Sequence, residues 1–400
     1  MTQPLKGIRI VDLSTVFSGP MATTLLSDQG AEVIKVEAPD GDTTRLIGHA
    51  KGDLSSSFIA ANRGKRGIAL DLKAPAARPV LAALIARADV LVENFRPGVM
   101  QRLGLIDADL AARHPRLIRV SVTGFGADGP RAADKAYDAV IQAIAGVTAS
   151  QRDPHTGDPV MLATTVCDKV TALTAAQAIT AALFARERDG HGRRVEVAML
   201  DAALSFQWVD AMYNHVFIDE PPAPFPEFGA TQRPWRTTDG FVASMVPQQA
   251  EFAGMCAALG RTDIPQDPRF SSTPARYRHA KELRALLEPL MAQFDNATLE
   301  AAFRHHGAPL GRVNEKPAVL TDPQVQHNQA LVELAHGEVG RVRVARSAAR
   351  FDGQAQVPTR GAARLGEHGE AVLAELGFST AQIAELVAQG VLRIPPDPAA

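Results

Sequence analysis

Cysteine is almost missing: Cys167 and Cys256 are the only two in 400 residues. That scarcity excludes a disulfide framework and a cysteine-rich zinc site, and it suits a reducing compartment. Aromatic residues amount to 5% and the formal net charge is −2. Neither the stacking platforms nor the basic footprint of a nucleic-acid binder is therefore present. No apolar run approaches the ~18 residues of a membrane span, and the opening "MTQPLKGIRIVDLS" holds no apolar stretch of signal-peptide length. What is plentiful is core material, at 46% hydrophobic residues, enough for two or three domains. The expectation is a cytoplasmic globular protein whose partner is a small molecule, with no nucleic acid, membrane or metal involved.

The first half alternates two kinds of segment. "GIRIVDLS", "AEVIKVE", "GIALDLK", "ADVLVENF" and "LIRVSVTGFG" are rich in Val and Ile on both faces and read as strands; "PMATTLLSDQG" and "APAARPVLAALIARA" between them read as helices. Buried strands separated by helices predict an α/β fold with a parallel sheet covered on both sides. Ligands in such sheets sit at the carboxyl ends of the strands. That rule gathers "STVFSGP", "APDGD", "ENFRPG" and "TGFGADGP" onto one edge.

Two helical runs follow, "YDAVIQAIAGV" and "DKVTALTAAQAITAALFARERDG", the second ending in a glycine that suits a C-terminal cap. A further strand, "RRVEVAML", leads into a helix predicted to reach about residue 217. Residues 1–217 are thus the first part of a large domain. Pro221, Pro222, Pro224, Pro226 and Pro234 make 218–240 a linker. A smaller, mostly helical domain spans 241–310, a return linker 311–330, and residues 331–400 complete the large domain. Ser379 and Gln382 have capping-box spacing, which predicts a well-specified helix near the end.

Gly124, Gly126 and Gly129 match the spacing of a dinucleotide-binding fingerprint. Pro130 follows at once, however, and its ring would break the helix that the fingerprint needs. No strand and acidic residue follow at the required distance, so the glycines shape a turn for another purpose.

Asp168 is the acid that stands out. It lies where the Thr-rich "LATTV" passes into a long Ala-rich helix, so its carboxylate sits near a helix N-terminus whose free N–H groups favour an anion. Spacing alone favours a plain N-cap aspartate. Cys167 beside it has no motif that makes it a nucleophile and reads as a packing residue. His305 and His306 adjoin on a surface helix without a ligand partner at metal spacing. Lys65, Arg66, Lys73, Arg96, Arg102 and Lys135 fall in or near the loops of the predicted ligand edge, where several cations together suit a polyphosphate.

A family resemblance then covers nearly the whole chain. "GPMATTLLSDQGAEVIKVE", "NRGKRGIALDLK", "ADVLVENFRPGVMQRLGL", "LIRVSVTGFGADGP", "KAYDAVIQAIAG", "CDKVTALTAAQAITAALFAR" and "RRVEVAMLDAAL" resemble, in order, the blocks of the class III coenzyme A transferases, the CaiB/BaiF type. The later "DPRFSSTPAR" and "LGEHGEAVLAELGFSTAQIAELVAQGV" are similar to that family's small-domain and C-terminal blocks.

The resemblance implies a Rossmann-like large domain, a smaller α+β domain and an interlocked homodimer. It implies transfer of coenzyme A from an acyl-CoA to a free carboxylic acid, with no tightly bound cofactor. Asp168 matches the family's nucleophile. The coenzyme-contacting positions match Leu70, Asp71, Leu72 and Lys73, then Asn94, Phe95 and Arg96, then Arg102, and finally Lys135, Ala136, Tyr137 and Asp138. "TGFGADGP" then becomes the turn that leads to the "KAYD" contacts.

Departures bear on the substrate. Phe17 stands where formyl-CoA transferases carry a glutamine, "SMVPQQAEF" where they carry a run of glycines, and Ala38 where some relatives have an arginine. An apolar side chain donates nothing to a small dicarboxylate, so Phe17 is expected in the acyl site for a longer acid. Related α-methylacyl-CoA racemases share the aspartate but use a histidine where this chain has Tyr137. A phenol, which ordinarily titrates near about 10, is a poor base at neutral pH, and transfer is the favoured activity. A non-catalytic acyl-CoA binder, with Asp168 only a cap, is the alternative of another class.

Overall fold

Alternating hydrophobic segments build the sheet that the sequence predicts. The structure is a computed structural model, and it describes residues 3–153, 155–219, 225–227, 233–337 and 339–396. In chain order the large unit contains β1 (Arg9–Asp12), α1 (Ser18–Asp28), β2 (Glu32–Glu37), α2 (Ser56–Asn62), β3 (Arg66–Leu70), α3 (Ala77–Ala86), β4 (Val90–Glu93), β5 (Ile118–Thr123), α4 (Asp138–Ile144), α5 (Val166–Asp189), β6 (Arg194–Ala198) and α6 (Met199–Gln207). A last strand, β7 (Leu392–Arg393), closes one side, giving the order β7-β3-β2-β1-β4-β5-β6. All neighbours are parallel except β7, which pairs antiparallel with β3.

Apolar residues on both faces of these strands demand two covering layers. On one face Val11, Ile34, Ile68 and Leu91 pack against Val80, Leu81 and Leu84 of α3 and Val372, Leu373, Ile383 and Leu386 from the C-terminal helices. On the other, Ile10, Val33, Val90 and Val120 meet Ala22 and Leu26 of α1 and the Ala172, Ala175, Ala176 and Ile179 stripe of α5. Small side chains on α5 let it lie close to the sheet. Gly190 ends that helix in the left-handed conformation at φ 80°, the cap the sequence suggested. Ser379 and Gln382 form the expected capping box.

The chain divides into two compact units, one comprising Met1–Val147, Met161–Phe206 and Gln324–Ala400 and the other Thr148–Val160 and Gln207–Pro323. In the second unit a three-stranded antiparallel sheet of Trp235–Arg236, Phe241–Ala243 and Gly311–Arg312 accompanies helices Gln249–Ala258, Ala280–Met291 and Asn296–His305. Its core is formed by Phe252, Met255, Phe270, Leu287, Leu299 and Phe303. Much of the proline-rich stretch cannot be compared, because 220–224 and 228–232 lie outside the described residues.

One helix is shorter than expected. α6 stops at Gln207, not near 217, and only a 3-10 turn, Tyr213–His215, follows. Beyond Gln207 most large apolar side chains are exposed, Val209 at 84% and Phe217 at 76%, and none up to 217 is buried, so no buried face supports further turns.

Candidate active site

Three loops at the carboxyl ends of β1, β4 and β5 converge with the first turn of α5 on a cavity of about 380 Å³. Thr15, Val16, Phe17 and Ser18 come from the first loop. Asn94, Phe95, Arg96 and Pro97 come from the second, and Gly124 with Asp134, Lys135, Ala136 and Tyr137 from the third. Asp168 and Met199 also line it. This is the edge at which open α/β sheets hold ligands.

The first loop is fixed from beneath by charge. Asp12 at the end of β1 accepts the Ser14 N–H (3.0 Å) and the Ser14 hydroxyl, and it pairs with Lys65 at 3.0 Å. Lys65 also donates to the Pro20 carbonyl and the Asn62 side chain, each at 2.8 Å. A second pair, Lys35 with Asp42 at 2.9 Å, is equally buried, and Lys35 donates to the Ser14 carbonyl at 2.8 Å. Burial opposes the charge on Asp42, but Lys35 and the Thr44 N–H outweigh it and hold the carboxyl below its ordinary value. Asp42 in turn accepts the Val16 N–H. From the neighbouring strand Asn94 clamps Thr15, accepting its N–H and donating to its carbonyl at 2.8 Å each. Gly19 permits the tight turn: a Cβ there would lie 2.4 Å from that of Ser14.

Ser18, so fixed, opens α1 and donates its hydroxyl to Asp168. Asp168 is not an N-cap. It is the third residue of α5, whose N-cap position is Thr165, and Thr165 makes no side-chain cap bond. Its own N–H is held by Asp138 at 3.0 Å, and its side chain is left to face Ser18 and the cavity. Only 7% of Asp168 is exposed. Burial pushes its carboxyl up to about 6; the Ser18 hydrogen bonds pull against this, and the charge of Asp138 adds to it. Cys167 is buried, with its thiol pushed up to about 12 by burial and then by Asp138 and Asp168, so it offers no thiolate.

The expected site residues divide into three groups. Phe17, Asn94, Phe95, Arg96, Lys135, Ala136 and Tyr137 join Asp168 around the cavity. Leu70, Asp71, Leu72, Lys73 and Arg102 do not line it. Leu70 is fully buried, and Leu72 packs on the same apolar cluster as Phe95. Asp138 is 6% exposed and bonded inward. Two cations read as ligand-edge residues are corrected: Lys65 is buried against Asp12, and Arg66, at the amino end of β3, pairs with Glu32 and Glu375. A lysine or arginine already neutralised by carboxylates is not offered to a phosphate. Sequence reasoning missed Ser18, Lys35 and Asp42. The available signal was Lys35 itself, a charge inside a strand otherwise buried on both faces, which requires a partner.

The Gly124 turn acts as the sequence suggested, without a dinucleotide helix. Gly126 and Gly129 take φ of 106° and 89°, and a Cβ on Gly124 would lie 2.1 Å from that of Ala136. The glycine brings the "KAYD" segment against the end of β5.

Sheet, cavity and buried acid together define an α/β protein with a ligand site at the carboxyl edge of its parallel strands. Residues 5–369 match the model of CoA-transferase family III. The chain is 33% identical over 384 residues to the succinate–glutarate CoA-transferase of Agrobacterium fabrum, covering 93% of this chain and 96% of that protein. It is 32% identical over 413 residues to a formyl-CoA:oxalate CoA-transferase of Streptomyces avermitilis, covering 98% and 100%. The crystal structure of Rv3272 from M. tuberculosis superposes with a TM-score of 0.81 at 31% identity, covering 92% and 99%. The chain belongs to CoA-transferase family III.

Proposed function

We propose that this protein moves coenzyme A from an acyl-CoA donor to a free carboxylic acid, with Asp168 as the nucleophile. The observation that carries the reading is the setting of Asp168: buried at a cavity, oriented by Ser18, and with a carboxyl raised to about 6. Such a carboxylate is still ionised at neutral pH, yet it is less stabilised by water than a surface acid and attacks more readily.

The carboxylate adds to the thioester carbonyl. The C–S bond breaks, coenzyme A leaves as the thiolate with the bonding pair, and an acyl-aspartyl anhydride remains. The thiolate then attacks the aspartyl carbonyl, releasing the first acid as its carboxylate and leaving an aspartyl-CoA thioester. An acceptor carboxylate runs the two steps in reverse and departs as the new acyl-CoA. No bond energy is lost to water, so no external energy source is needed. Arg96, Lys135 and Tyr137 at the cavity are the groups offered to the coenzyme, with Leu70, Asp71, Leu72, Lys73 and Arg102 assigned to its more distant parts on the resemblance alone.

Phe17, Val16 and Met199 make part of the cavity wall apolar, which favours acids with a carbon chain over oxalate or formate. Relatives of nearly equal identity are named for succinate and glutarate and for formyl-CoA and oxalate, so the preference rests on the cavity wall. The reading includes a homodimer, in keeping with exposed apolar side chains such as Leu173 and Phe184 on α5.

The test is chemical trapping. Acyl-CoA followed by hydroxylamine should convert Asp168 to its hydroxamate, seen by mass spectrometry of the peptide, and Asp168→Ala should fold yet transfer nothing. An unmodified Asp168, or an active alanine variant, overturns the mechanism.

A further inference from the structure

We infer that Asp138 is a positioning residue for Asp168, anchoring the first turn of α5 and setting a second negative charge beside the reacting carboxylate. The inference rests on the reading of Asp168 as nucleophile. It gives Asp138 a different task from the coenzyme contact that the family resemblance implies.

Geometry carries the first half. A helix begins with N–H groups that no turn of its own can satisfy, and the N-cap side chain commonly accepts the one at the third position. Thr165 provides no such bond. The acceptor comes instead from another helix: Oδ2 of Asp138, first residue of α4, takes the Asp168 N–H at 3.0 Å. Its Oδ1 takes a hydrogen bond from Gln142 Nε2 at 2.5 Å. Gln142, one turn along α4, also donates to the Thr164 carbonyl at 3.2 Å and accepts the Leu162 N–H at 3.0 Å. One turn of α4 thus grips both the loop that leads into α5 and the N–H of the residue that reacts. With both oxygens engaged inward and 6% exposure, the Asp138 carboxylate is turned into the protein and does not line the cavity.

Electrostatics carries the second half. Facing Asp168 are Ser18 from α1, Asp138 from α4, and its neighbours Cys167 and Lys169 on α5. Lys169 is drawn aside to the Thr164 hydroxyl, and the Cys167 thiol is held neutral. Across the cavity stand Arg96, Asp134, Lys135 and Tyr137. Asp138 is the buried carboxylate among these groups. A like charge so placed makes the Asp168 anion harder to form and, once formed, more basic.

The experiment compares pH–rate profiles of wild type, Asp138→Asn and Asp138→Glu with one acyl-CoA and one acceptor, alongside hydroxylamine trapping. Asp138→Asn keeps an oxygen for the Asp168 N–H and removes the charge. Its acid limb should move down by roughly one pH unit, its plateau kcat should fall about threefold if nucleophilicity follows basicity with a slope near one half, and its KM for acyl-CoA should hold. Asp138→Glu should keep the wild-type limb. Should the Asn variant not fold, Asp138→Ser, which offers a neutral hydroxyl, replaces it. An unmoved limb in a folded neutral variant, or a raised KM with the limb unmoved, overturns the inference. Failure of the underlying reading looks different, because the wild type itself would then give no Asp168 adduct.

Discussion

The N–H of Val16 points between the two carboxylate oxygens of Asp42, 3.2 Å from each, and Val16 itself sits at φ 68°. A β-branched residue is rare in the left-handed region because its branches crowd the backbone. The cost is tolerated here because Asp42, Lys35 and Asn94 over-determine the loop. That loop presents Phe17 and Ser18 to the cavity, so strain and site coincide.

Comparing two truncations at this position tests the strain. In an ordinary segment glycine is less stable than alanine by roughly 0.5–1 kcal/mol. At position 16 the order should invert: Val16→Gly should be more stable than Val16→Ala by about 1 kcal/mol. Denaturant midpoints of the two variants decide it, and the ordinary order would mean that the backbone is relaxed there.

Asp168→Asn should show what the buried acid does to stability. The native carboxyl, raised from 3.8 to about 6, binds its proton more tightly than the unfolded chain does. The associated stability is full below pH 3.8, falls as pH rises, and is gone above about 6, a loss of about 3 kcal/mol by linkage. The asparagine variant has no such loss. Its advantage over wild type should therefore open between about pH 4 and pH 6.5 and then stay level. Unfolding curves across that range measure it, and parallel curves would show an acid that is not desolvated. Wild-type kcat should rise over the same interval as the carboxylate forms.

Gly124 and Ala136 should behave as a pair. Gly124→Ala puts a methyl where the Ala136 Cβ already stands, at 2.1 Å, and displaces Lys135 and Tyr137 with it. The KM for acyl-CoA should rise by about tenfold or more, as small misplacements of binding groups do. Adding Ala136→Gly makes room and should restore it, a coupling that a double-mutant cycle reads directly. Gly129→Ala is the control: nothing lies within 4 Å, but φ is 89°, so it should cost stability and leave KM alone.

Phe17→Gln tests the acyl wall. If the ring contacts the substrate chain, the ratio of kcat/KM for glutarate over oxalate should drop by about tenfold, the usual range for apolar contact. A change in stability with that ratio constant would mean that Phe17 only packs under α1.

The sequence made the sheet readable because its strands are Val- and Ile-rich and its helices are punctuated by glycine and proline. Asp168 was legible as an acid at a helix start, but its register within the first turn was not: spacing offers Asp168 itself as the cap, whereas the helix opens earlier, after Thr165, whose side chain makes no cap bond that would mark the start. Lys35, inside a doubly buried strand, signals that it needs a partner, and Lys65 beside a loop reads as surface; which acids pair with them stayed hidden because only the fold sets Asp42 and Asp12 against them. Asp138 was legible by resemblance as a contact residue, yet its partner lies thirty positions away on another helix.

The antiparallel strand β7 has a meaning for the birth of the chain. It covers the outer side of β3 with residues that follow Leu70 by roughly 320 positions. At about 5–20 residues per second, translation reaches them only on the order of half a minute after β3 has emerged. Throughout that interval β3 has an uncapped row of N–H and C=O groups, the template on which stray strands aggregate. The second unit, Thr148–Val160 with Gln207–Pro323, is made inside the same interval. A ribosome stalled late would thus hold a nearly finished sheet with its β3 flank open, and truncation before Leu392 should be felt first as insolubility.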